Sequence, residues 1–370
     1  MAGAVYLRPV LRSSLNTVGA VRTFALALAL LAIPTVGARA EAGTTEAESV
    51  RARWLMGTVL QVRLPAGGPD LEASFQAAFQ AVAEVEEAAS LWKAGTELGR
   101  VHARAADGAT TVVSAPLGAL VAEALRISEL TGGAFSPAVG ALVAAWDLRG
   151  IGRRPSPEER RSAAARSRTG GVRYDPATRE LGLDPGVTLD LDGIAKGFAL
   201  DRAAEALRAR GVDDALLNFG GQILVIGPPA GRPPREAHVA SPFDGSVPVL
   251  AVRLRDTSLS TSSSSERARI VDGQEVGHLL DPRTGELVLA AGSVTVLASS
   301  GALADALSTA WAVEGPAGFR RADPRGPFRC SGAVAFVLPA AEGEPVTVAD
   351  APFVRLRPPP RGLKVTVIRP

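Results

Sequence analysis

A strand-to-helix junction in the middle of the chain carries residues suited to binding a phosphate. Residues 189–197 read LDLDGIAKG, with acidic residues ending a predicted strand, a turn at Gly193 and Lys196 in the first turn of the next helix. Free backbone N–H groups at a helix start, together with an ammonium group, suit a phosphate or pyrophosphate. Because a lysine there opposes the helix dipole, its placement is unfavourable without an anionic ligand. The alternative is an aspartate cap with a solvated lysine, and the segment alone does not decide between the two.

A second group of candidate ligands lies on a helix predicted over residues 301–313. Asp305 and Thr309 stand four residues apart, so their side chains share one helix face. A carboxylate and a hydroxyl one turn apart offer the oxygen ligands that Mg²⁺ prefers, and Mg²⁺ usually keeps water and substrate phosphate oxygens in its other positions. The alternative is a polar helix face on which Thr309 bonds back to a backbone carbonyl. Taken alone, this common spacing favours that alternative.

A third candidate is His278, which begins the segment HLLDPRTG. The DPRTG letters predict a turn, and His278 on the strand before that turn could act as a general base. With 3 histidines in the chain, it is the best placed of them. A single histidine beside a turn is more often structural, so both interpretations stay open at this point.

Composition excludes several other kinds of protein. The formal net charge is +2 with acids and bases interspersed, which indicates no nucleic-acid groove. A single cysteine excludes a disulfide within this sequence. No Ser-His-Asp arrangement, P-loop, GxGxxG motif or Cys/His metal cluster occurs in the 370 residues. The hydroxyl-rich run TSLSTSSSS at 257–265 predicts a flexible loop, and Trp92 and Phe135 are predicted to be core residues.

The elements that position these residues are predicted from hydrophobic periodicity and from capping residues. Asp70 is the predicted N-cap of a helix that ends near Ala89, and a second helix covers 116–131. A third helix is predicted to carry Lys196 in its first turn and to end near residue 210. The charged segment 155–169 is predicted to be a surface helix or loop. Strands are predicted over 53–64, 181–183, 188–191, 215–219, 223–226, 247–254, 293–297, 333–338 and 363–368. This irregular interleaving predicts a single α+β domain.

The N-terminal segment predicts export. Arg22 precedes an uncharged apolar run at 23–37, and the A-R-A sequence at 38–40 completes the pattern of a cleaved secretory signal. The apolar stretch is shorter than the roughly 20 residues that span a bilayer. We therefore expect a signal peptide at 1–40 and a mature domain at 41–370 that lies in the periplasm or cell envelope and does not span the membrane. An uncleaved N-terminal anchor is the alternative.

In their order along the chain, these segments resemble the ApbE family of FAD:protein FMN transferases, from about residue 54 to 313. The matching stretches are MGT at 56–58, SLW at 90–92, TEL at 96–98, TGGAFSP at 131–137, DLDGIAKG at 190–197, NFGG at 218–221, TS at 261–262, HLLDPRTG at 278–285 and ADALST at 304–309. Most of them are modest individually. Their common order is hard to obtain by chance.

The resemblance implies a T-fold-like α+β architecture, with mixed or antiparallel sheets and packed helices, and a site for one Mg²⁺ or for two metal ions against bound FAD. It places cofactor contacts at Met56, Trp92, Ala134, Phe135, Ser136, Asp190, Lys196 and Leu279. It assigns Mg²⁺ to the Gly193 carbonyl, the Asp305 carboxylate and the Thr309 hydroxyl, with Ser308 adjacent. These assignments favour a phosphate partner for Lys196 and a metal for the pair on the second helix.

The implied reaction moves the FMN half of FAD onto a Ser or Thr hydroxyl of an acceptor flavoprotein domain in a membrane or envelope redox complex, with release of AMP. His278 and Asp305 are the implied catalytic residues. The sequence departs from the family pattern at Ser136, where Asp is usual, at 263–265, where serines replace Gly, Asp and an aromatic residue, and at Gln222. These departures keep two alternatives open: an FAD pyrophosphatase that yields FMN and AMP, and a non-catalytic flavin-binding protein of the envelope.

Overall fold

The computed structural model describes residues 47–240, 248–263, 269–288 and 293–321, together with C-terminal strands over 334–338, 345–349, 354–356 and 364–368. The helices are α1 (Leu71–Ala89), α2 (Glu97–Ala105), α3 (Ala115–Leu130), α4 (Gly140–Ala145), α5 (Pro157–Arg166), α6 (Ala195–Arg208) and α7 (Gly301–Arg321), the last interrupted at Gly315. The predicted signal segment at 1–40 lies outside the described residues.

The strands are β1 (Glu48–Leu55), β2 (Thr58–Pro65), β3 (Thr111–Val112), β4 (Val172–Asp175), β5 (Glu180–Leu183), β6 (Ala215–Phe219), β7 (Gln222–Ile226), β8 (Arg235–Ala240), β9 (Pro248–Leu254), β10 (Thr257–Ser263), β11 (Arg269–Val271), β12 (Gln274–Val276), β13 (Ser293–Ala298), β14 (Val334–Leu338), β15 (Pro345–Ala349), β16 (Val354–Leu356) and β17 (Lys364–Ile368). The main sheet has the order β1-β2-β6-β7-β10-β13-β14-β15-β17. Its neighbours are antiparallel except β15 and β17, which are parallel. Smaller sheets have the orders β16-β9-β8, β3-β5-β4 and β11-β12.

Apolar side chains cover both faces of the middle of the main sheet. On one face α6 packs against α1 and α7, and α7 lies on β10 and β13. On the other face β8 and β9 cover Val225, Leu259 and Leu297, which come from three adjacent strands of the main sheet. Because strands covered on both faces read as continuous buried runs, the alternation of polar and apolar residues is weak in this part of the sequence.

Two glycines let α6 and α7 approach closely. A methyl group on Gly197 would overlap the backbone of Gly301, and the converse also holds. Next to this contact, Asp201 of α6 caps the start of α7, since its two carboxylate oxygens accept from the N–H groups of Gly301 (2.6 Å) and Ala302 (2.9 Å). The crossing brings the first turn of α6 against the face of α7 that carries Asp305.

The strand predicted over 53–64 is in fact a hairpin. β1 and β2 pair antiparallel, with Leu55 opposite Thr58. Met56 and Gly57 form the connecting turn and have φ values of 46° and 74°. A two-residue turn with positive φ at both positions matches the twist of the flanking strands. The Gly-Thr step therefore marks a reversal of the chain, and Met56 lies at the tip of the hairpin.

The run predicted to be a flexible loop at 257–265 is instead a central strand of the main sheet. β10 pairs with β7 and β13, and the last two residues of the run lie outside the described part. Ser258 and Ser260 are buried, and the Thr261 hydroxyl lies 2.8 Å from that of Thr295 on β13. Composition misled because hydroxyls, which favour loops through local hydrogen bonds, here find partners on neighbouring elements.

The capped helices are confirmed. Asp70 accepts a hydrogen bond from Ala73 at the start of α1, and α3 spans Ala115–Leu130, one residue from the predicted bounds of 116–131. The predicted strand at 188–191 is wrong, because this segment makes one isolated bridge, from Thr188 to Val139. The short helices α2 and α4 were not predicted. None of the helices in the described ranges is both long and apolar enough to cross a membrane.

Candidate functional site

A buried carboxylate lies where α6, α7 and β10 meet. Asp305 is 6% exposed, its Oδ2 accepts from the Gly197 N–H at 3.1 Å, and Ser260 of β10 hydrogen-bonds to the same carboxylate. Burial raises the pKa of Asp305, although the nearby Lys196 charge and the Gly197 N–H act in the opposite direction. A cation beside this carboxylate would offset the cost of burying its charge.

Three hydroxyl groups surround the next turn of α7. The Ser262 hydroxyl of β10 lies 2.7 Å from that of Ser308 and 3.4 Å from that of Thr309. Ser308 also donates to the Asp305 carbonyl oxygen at 2.8 Å. The alternative interpretation was that Thr309 bonds back to a backbone carbonyl. In the structure, the hydroxyl that makes such a bond is that of Ser308. Thr309 therefore faces β10 and the turn before α6.

The turn at Gly193 reaches the same point. A Cβ added to Gly193 would lie 3.5 Å from the Thr309 Oγ1 and 3.4 Å from the Phe135 ring, so this backbone comes close to the hydroxyl and carboxylate groups of α7. Within the described ranges, no group of three or more His, Cys, Asp or Glu side chains is placed to hold a metal. The oxygen set of carbonyl, carboxylate and hydroxyls fits Mg²⁺, which accepts few protein ligands besides water and phosphate.

The start of α6 is not capped by the residues that precede it. Its N-cap residue is Ile194, which makes no side-chain cap hydrogen bond, and the carboxylate that accepts from the first turn, at the Gly197 N–H, is Asp305 of α7. The alternative of an aspartate cap from within this segment is therefore wrong. Lys196, half-buried, projects from this first turn, so the helix start and an ammonium group lie together beside Asp305. This pairing is the arrangement expected for an anion site.

The hairpin tip is held by a residue that sequence reasoning missed. The Met56 N–H donates to Glu86 Oε1 at 3.0 Å, and Glu86 Oε2 lies 2.8 Å from the Lys93 Nζ. Glu86 is 9% exposed and occupies the apolar face of α1. A charged residue among apolar positions at helical spacing was the available signal. Glu86 thus ties Met56 to the segment that carries Trp92.

Trp92 is exposed, which corrects the prediction that it is a core residue. Its exposed fraction is 61%, and its Nε1 donates to Asp192 Oδ2 at 3.1 Å. The guanidinium carbon of Arg149 lies 4.6 Å from the centre of the Trp92 ring. The same guanidinium is 2.7 Å from Asp190 Oδ2 and 3.7 Å from Asp192 Oδ2. Arg149, also missed from the sequence, joins three residues from two distant parts of the chain.

Asp190 is held firmly by its surroundings. Its backbone N–H donates to the Pro137 carbonyl at 2.7 Å, and the preceding N–H, that of Leu189, donates to His102 Nε2 at 3.0 Å. Burial first, and the charge of Asp192 second, raise the pKa of Asp190, while Arg149 acts in the opposite direction. Burial lowers the pKa of His102, and the Arg149 charge adds to that effect. A neutral imidazole is the form that accepts the Leu189 hydrogen bond.

Ala134, Phe135 and Ser136 follow the end of α3 and are all buried. The Phe135 N–H donates to Thr131 Oγ1 at 3.2 Å, which fixes the backbone, and the Phe135 ring is the core residue that was predicted. The Ser136 hydroxyl donates to the Ser167 carbonyl at 2.7 Å. This hydroxyl therefore supports the chain around it, in the position where the usual family residue is an aspartate.

His278 precedes a small loop rather than lying on a strand, which corrects that part of the prediction. The loop is closed by a bridge between Leu280 and Leu287, and Leu279 is buried in the main core. Arg283 pairs with Glu314, which anchors the loop to α7. His278 itself is half-buried, and its role as a base stays a prediction.

The chain is similar to proteins of one known family. A model of the ApbE family matches residues 56–325. A protein of Treponema pallidum named FAD:protein FMN transferase is 33% identical over 289 residues, which are 72% of this chain and 79% of that relative. A relative of the same name from Rhodobacter capsulatus is 38% identical over 231 residues, 60% of this chain and 43% of the relative's length.

Solved structures show the same fold. The ApbE protein of Thermotoga maritima superposes with a TM-score of 0.72 at 27% identity, covering 79% of this chain and 94% of that one. The flavinyl transferase ApbE of Pseudomonas stutzeri gives a TM-score of 0.67 at 26% identity, with 78% and 92% covered. The α+β architecture implied by the sequence resemblance is therefore confirmed.

Proposed function

The chain belongs to the ApbE family, and on that premise we propose that it is an Mg²⁺-dependent FAD:protein FMN transferase. The observation that carries the proposal is the meeting of Lys196 and the start of α6, which has no N-cap side chain of its own, with the Asp305 carboxylate of α7. An ammonium group and helix N–H groups suit a pyrophosphate, and FAD contains one. The adjacent oxygen ligands suit the cation that accompanies it.

The reaction exchanges a phosphoanhydride bond for a phosphoester bond. The oxygen of an acceptor Ser or Thr hydroxyl bonds to the FMN-side phosphorus of FAD, and the bond from that phosphorus to the bridging oxygen breaks. AMP departs with the bridging oxygen, and the hydroxyl proton passes to a base. No oxidation or reduction occurs. Positioning and electrostatic stabilisation supply most of the rate in such transfers.

Gly193, Asp305, Thr309 and Ser308 are the residues that would hold Mg²⁺, as a carbonyl, a carboxylate and two hydroxyls. Bound there, the cation supplies charge neutralisation for the pyrophosphate and for the oxygen that leaves with AMP. The raised pKa of Asp305 reflects burial.

The chain's own residues bind and orient FAD and accept the proton. Lys196 pairs with phosphate oxygens, and Trp92 offers an aromatic surface for a planar ring of FAD. Met56, held at the hairpin tip by its N–H bond to Glu86, lies at the position that the family resemblance assigns to a flavin contact. His278 takes the proton from the acceptor hydroxyl. The acceptor is a flavoprotein domain of a membrane or envelope redox complex.

The test uses purified protein, FAD, Mg²⁺ and a candidate acceptor domain, with AMP release and acceptor mass followed together. We expect AMP and acceptor flavinylation in equal amounts. AMP without a change in acceptor mass would indicate a pyrophosphatase, and neither product would indicate a flavin-binding protein.

The variant for this assay is Asp305→Asn. Metal-assisted charge stabilisation is worth several kcal/mol, so both products should fall by about 100-fold or more. Asp107→Asn, which alters an exposed carboxylate in the turn after α2, is the matched control and should retain activity. Full activity in Asp305→Asn would contradict the proposed role of this site.

We also propose export, on the sequence of residues 1–40. Expression of the full chain in a Gram-negative host should give a periplasmic protein whose first residue is Glu41. Its intact mass decides between cleavage and an uncleaved anchor, and a full-length product in the cytoplasm would contradict export.

A further inference from the structure

The cluster of Trp92, Arg149, Asp190 and Asp192 has a role that the proposed function leaves unassigned. Trp92 is large and apolar yet 61% exposed. On a surface, such a ring normally samples several rotamers, and ordering it costs conformational entropy. Here the indole is held at its Nε1, which donates to Asp192 (3.1 Å), and on one face, over which the Arg149 guanidinium lies (4.6 Å).

The guanidinium is itself held in place. Its Nη2 is 2.7 Å from Asp190 Oδ2 and 3.7 Å from Asp192 Oδ2. Asp190 is 7% exposed and is fixed by the backbone bond to Pro137. Arginine can pair its planar guanidinium with a carboxylate and stack it on an aromatic ring at the same time, whereas lysine has no planar group to stack. Arg149 therefore connects the Trp92 ring to Asp190, whose backbone is held by its hydrogen bond to Pro137.

The charges of the cluster point the same way. Asp190 and Asp192 precede the turn at Gly193, next to the place proposed for a pyrophosphate. Two carboxylates beside a second anion repel it, and Arg149 supplies the positive charge that offsets them. Removing one partner of a buried ion pair leaves the other charge uncompensated, which is more costly than the pair is favourable.

We propose that Arg149 is a positioning residue for FAD, which fixes the Trp92 ring as a preorganised stacking surface and screens the two carboxylates from the pyrophosphate. This inference rests on the proposed function for the identity of the ligand. Arg149 acts on binding, since its observed contacts are with Trp92, Asp190 and Asp192 and not with the proposed metal ligands on α7.

The chain offers a matched control for this arginine. Arg154 lies over the Trp146 ring at 5.8 Å and pairs with Asp272 at 2.8 Å. It has the same kinds of partner, an indole ring and an aspartate, but none of the residues proposed to bind FAD. Arg154→Ala therefore reproduces the loss of a stacked, paired arginine without touching the cluster.

The first experiment separates binding from turnover in the full-length mature protein. We expect Arg149→Ala to raise the Kd and the KM for FAD about 10-fold or more and to change kcat less than about 3-fold. Arg149→Lys, which keeps the charge but not the planar group, should lie between Arg149→Ala and wild type. Arg154→Ala should bind FAD as wild type does. A cooperative thermal unfolding transition is the check that each variant is folded.

The second experiment observes Trp92 without any ligand. Acrylamide quenching of tryptophan fluorescence is measured in wild type and in Trp92→Phe, and the difference reports on Trp92 among the 4 tryptophans. The same difference is then taken in the Arg149→Ala background. We expect Trp92 to be quenched more strongly when Arg149 is absent, whereas a merely structural arginine would leave this signal unchanged.

The outcomes are distinguishable from those of the functional test. If wild type binds FAD but modifies no acceptor, the transferase proposal fails, while a raised Kd in Arg149→Ala still supports the inference. An unchanged Kd in Arg149→Ala, a loss confined to kcat, or an equal loss in Arg154→Ala would overturn it. Failure of wild type to bind FAD would overturn it as well.

Discussion

At the scale of residues, the candidate metal site depends on hydroxyl groups as much as on its one carboxylate. Ser262 of β10 contacts both hydroxyls of α7, at 2.7 Å for Ser308 and 3.4 Å for Thr309. A ligand whose orientation is fixed by a neighbouring group keeps its lone pair aimed at the metal. Ser262 is therefore the residue that orients the two proposed ligands.

Removal of that orienting hydroxyl gives the first prediction. Ser262→Ala should weaken Mg²⁺ binding in the presence of FAD by about 10-fold, as expected for a group that contacts metal ligands. The measurement is an Mg²⁺ titration of AMP release. Thr261→Ala is the matched control, because the next side chain on the strand points to the other face and contacts Thr295 instead. Equal Mg²⁺ requirements in the two variants would show that Ser262 has no such role.

At the scale of elements, the site exists because α6 and α7 cross at Gly197 and Gly301 with their backbones in contact. The first of these glycines also donates its N–H to Asp305. A side chain at either position would push the helices apart and would separate Lys196 from the carboxylate. The small residues are thus a requirement of helix packing and of the site together.

The second prediction concerns a larger side chain at that contact. Gly197→Ala should destabilise the protein by about 2–3 kcal/mol, because the added methyl group overlaps backbone that cannot rotate away. Urea unfolding measures the change, and AMP release should fall with it. Gly170→Ala is the control, since open space surrounds that glycine, and it should change stability by less than about 0.5 kcal/mol. A Gly197→Ala protein of wild-type stability would contradict the observed crossing.

The third prediction concerns the cap that joins the same helices. Burial raises the pKa of Asp201 to about 6, with Glu205 and Glu123 adding to the rise and the N–H groups of Gly301 and Ala302 opposing it. Between pH 4 and 6 the folded state therefore binds more protons than the unfolded state. Stability falls as the pH rises through this window, by about 3 kcal/mol for a shift of about two pKa units.

Asp201→Asn tests this dependence, because the amide cannot titrate. The difference in unfolding free energy between wild type and variant, measured in urea at several pH values, should change across pH 4–6 and be constant above pH 7. Parallel curves for the two proteins would contradict the assignment to Asp201.

At the scale of the whole molecule, the two faces of the main sheet are covered by different elements. One face carries α1, α6 and α7 with the candidate site, and the other face is closed by β8 and β9. Elements that meet at the site come from residues far apart in sequence, so a ligand that contacts several of them links them together. Binding to the folded state alone stabilises it by mass action.

The fourth prediction follows from that linkage. At about 100 times its Kd, a ligand stabilises the folded state by about 2.7 kcal/mol, which raises Tm by several degrees. FAD with Mg²⁺ should raise Tm more than FAD alone. Asp305→Asn should keep the FAD effect and lose the additional effect of Mg²⁺. An additional Mg²⁺ effect of wild-type size in that variant would place the metal elsewhere.

The sequence by itself determined the local features of this protein. Asp70 at the start of α1 and Lys196 in the first turn of α6 follow from capping and periodicity, which act within a few residues. The position of Asp305 and Thr309 on one helix face follows from their spacing of four residues. The family and its α+β fold were also readable, because the order of short motifs along a chain carries that information.

Only the tertiary structure decided which partners these residues have. β10, the strand within the serine run, lies in the sheet because a carbonyl, a carboxylate and hydroxyls of neighbouring strands and of α7 bond to its hydroxyls. No local rule contains those partners. Likewise Trp92 became an exposed ring held by Arg149, although the two lie in segments with no sequence relation. Burial and long-range pairing depend on how distant elements pack, so the candidate phosphate and metal ligands could be named in advance, whereas the residues packed around them could not.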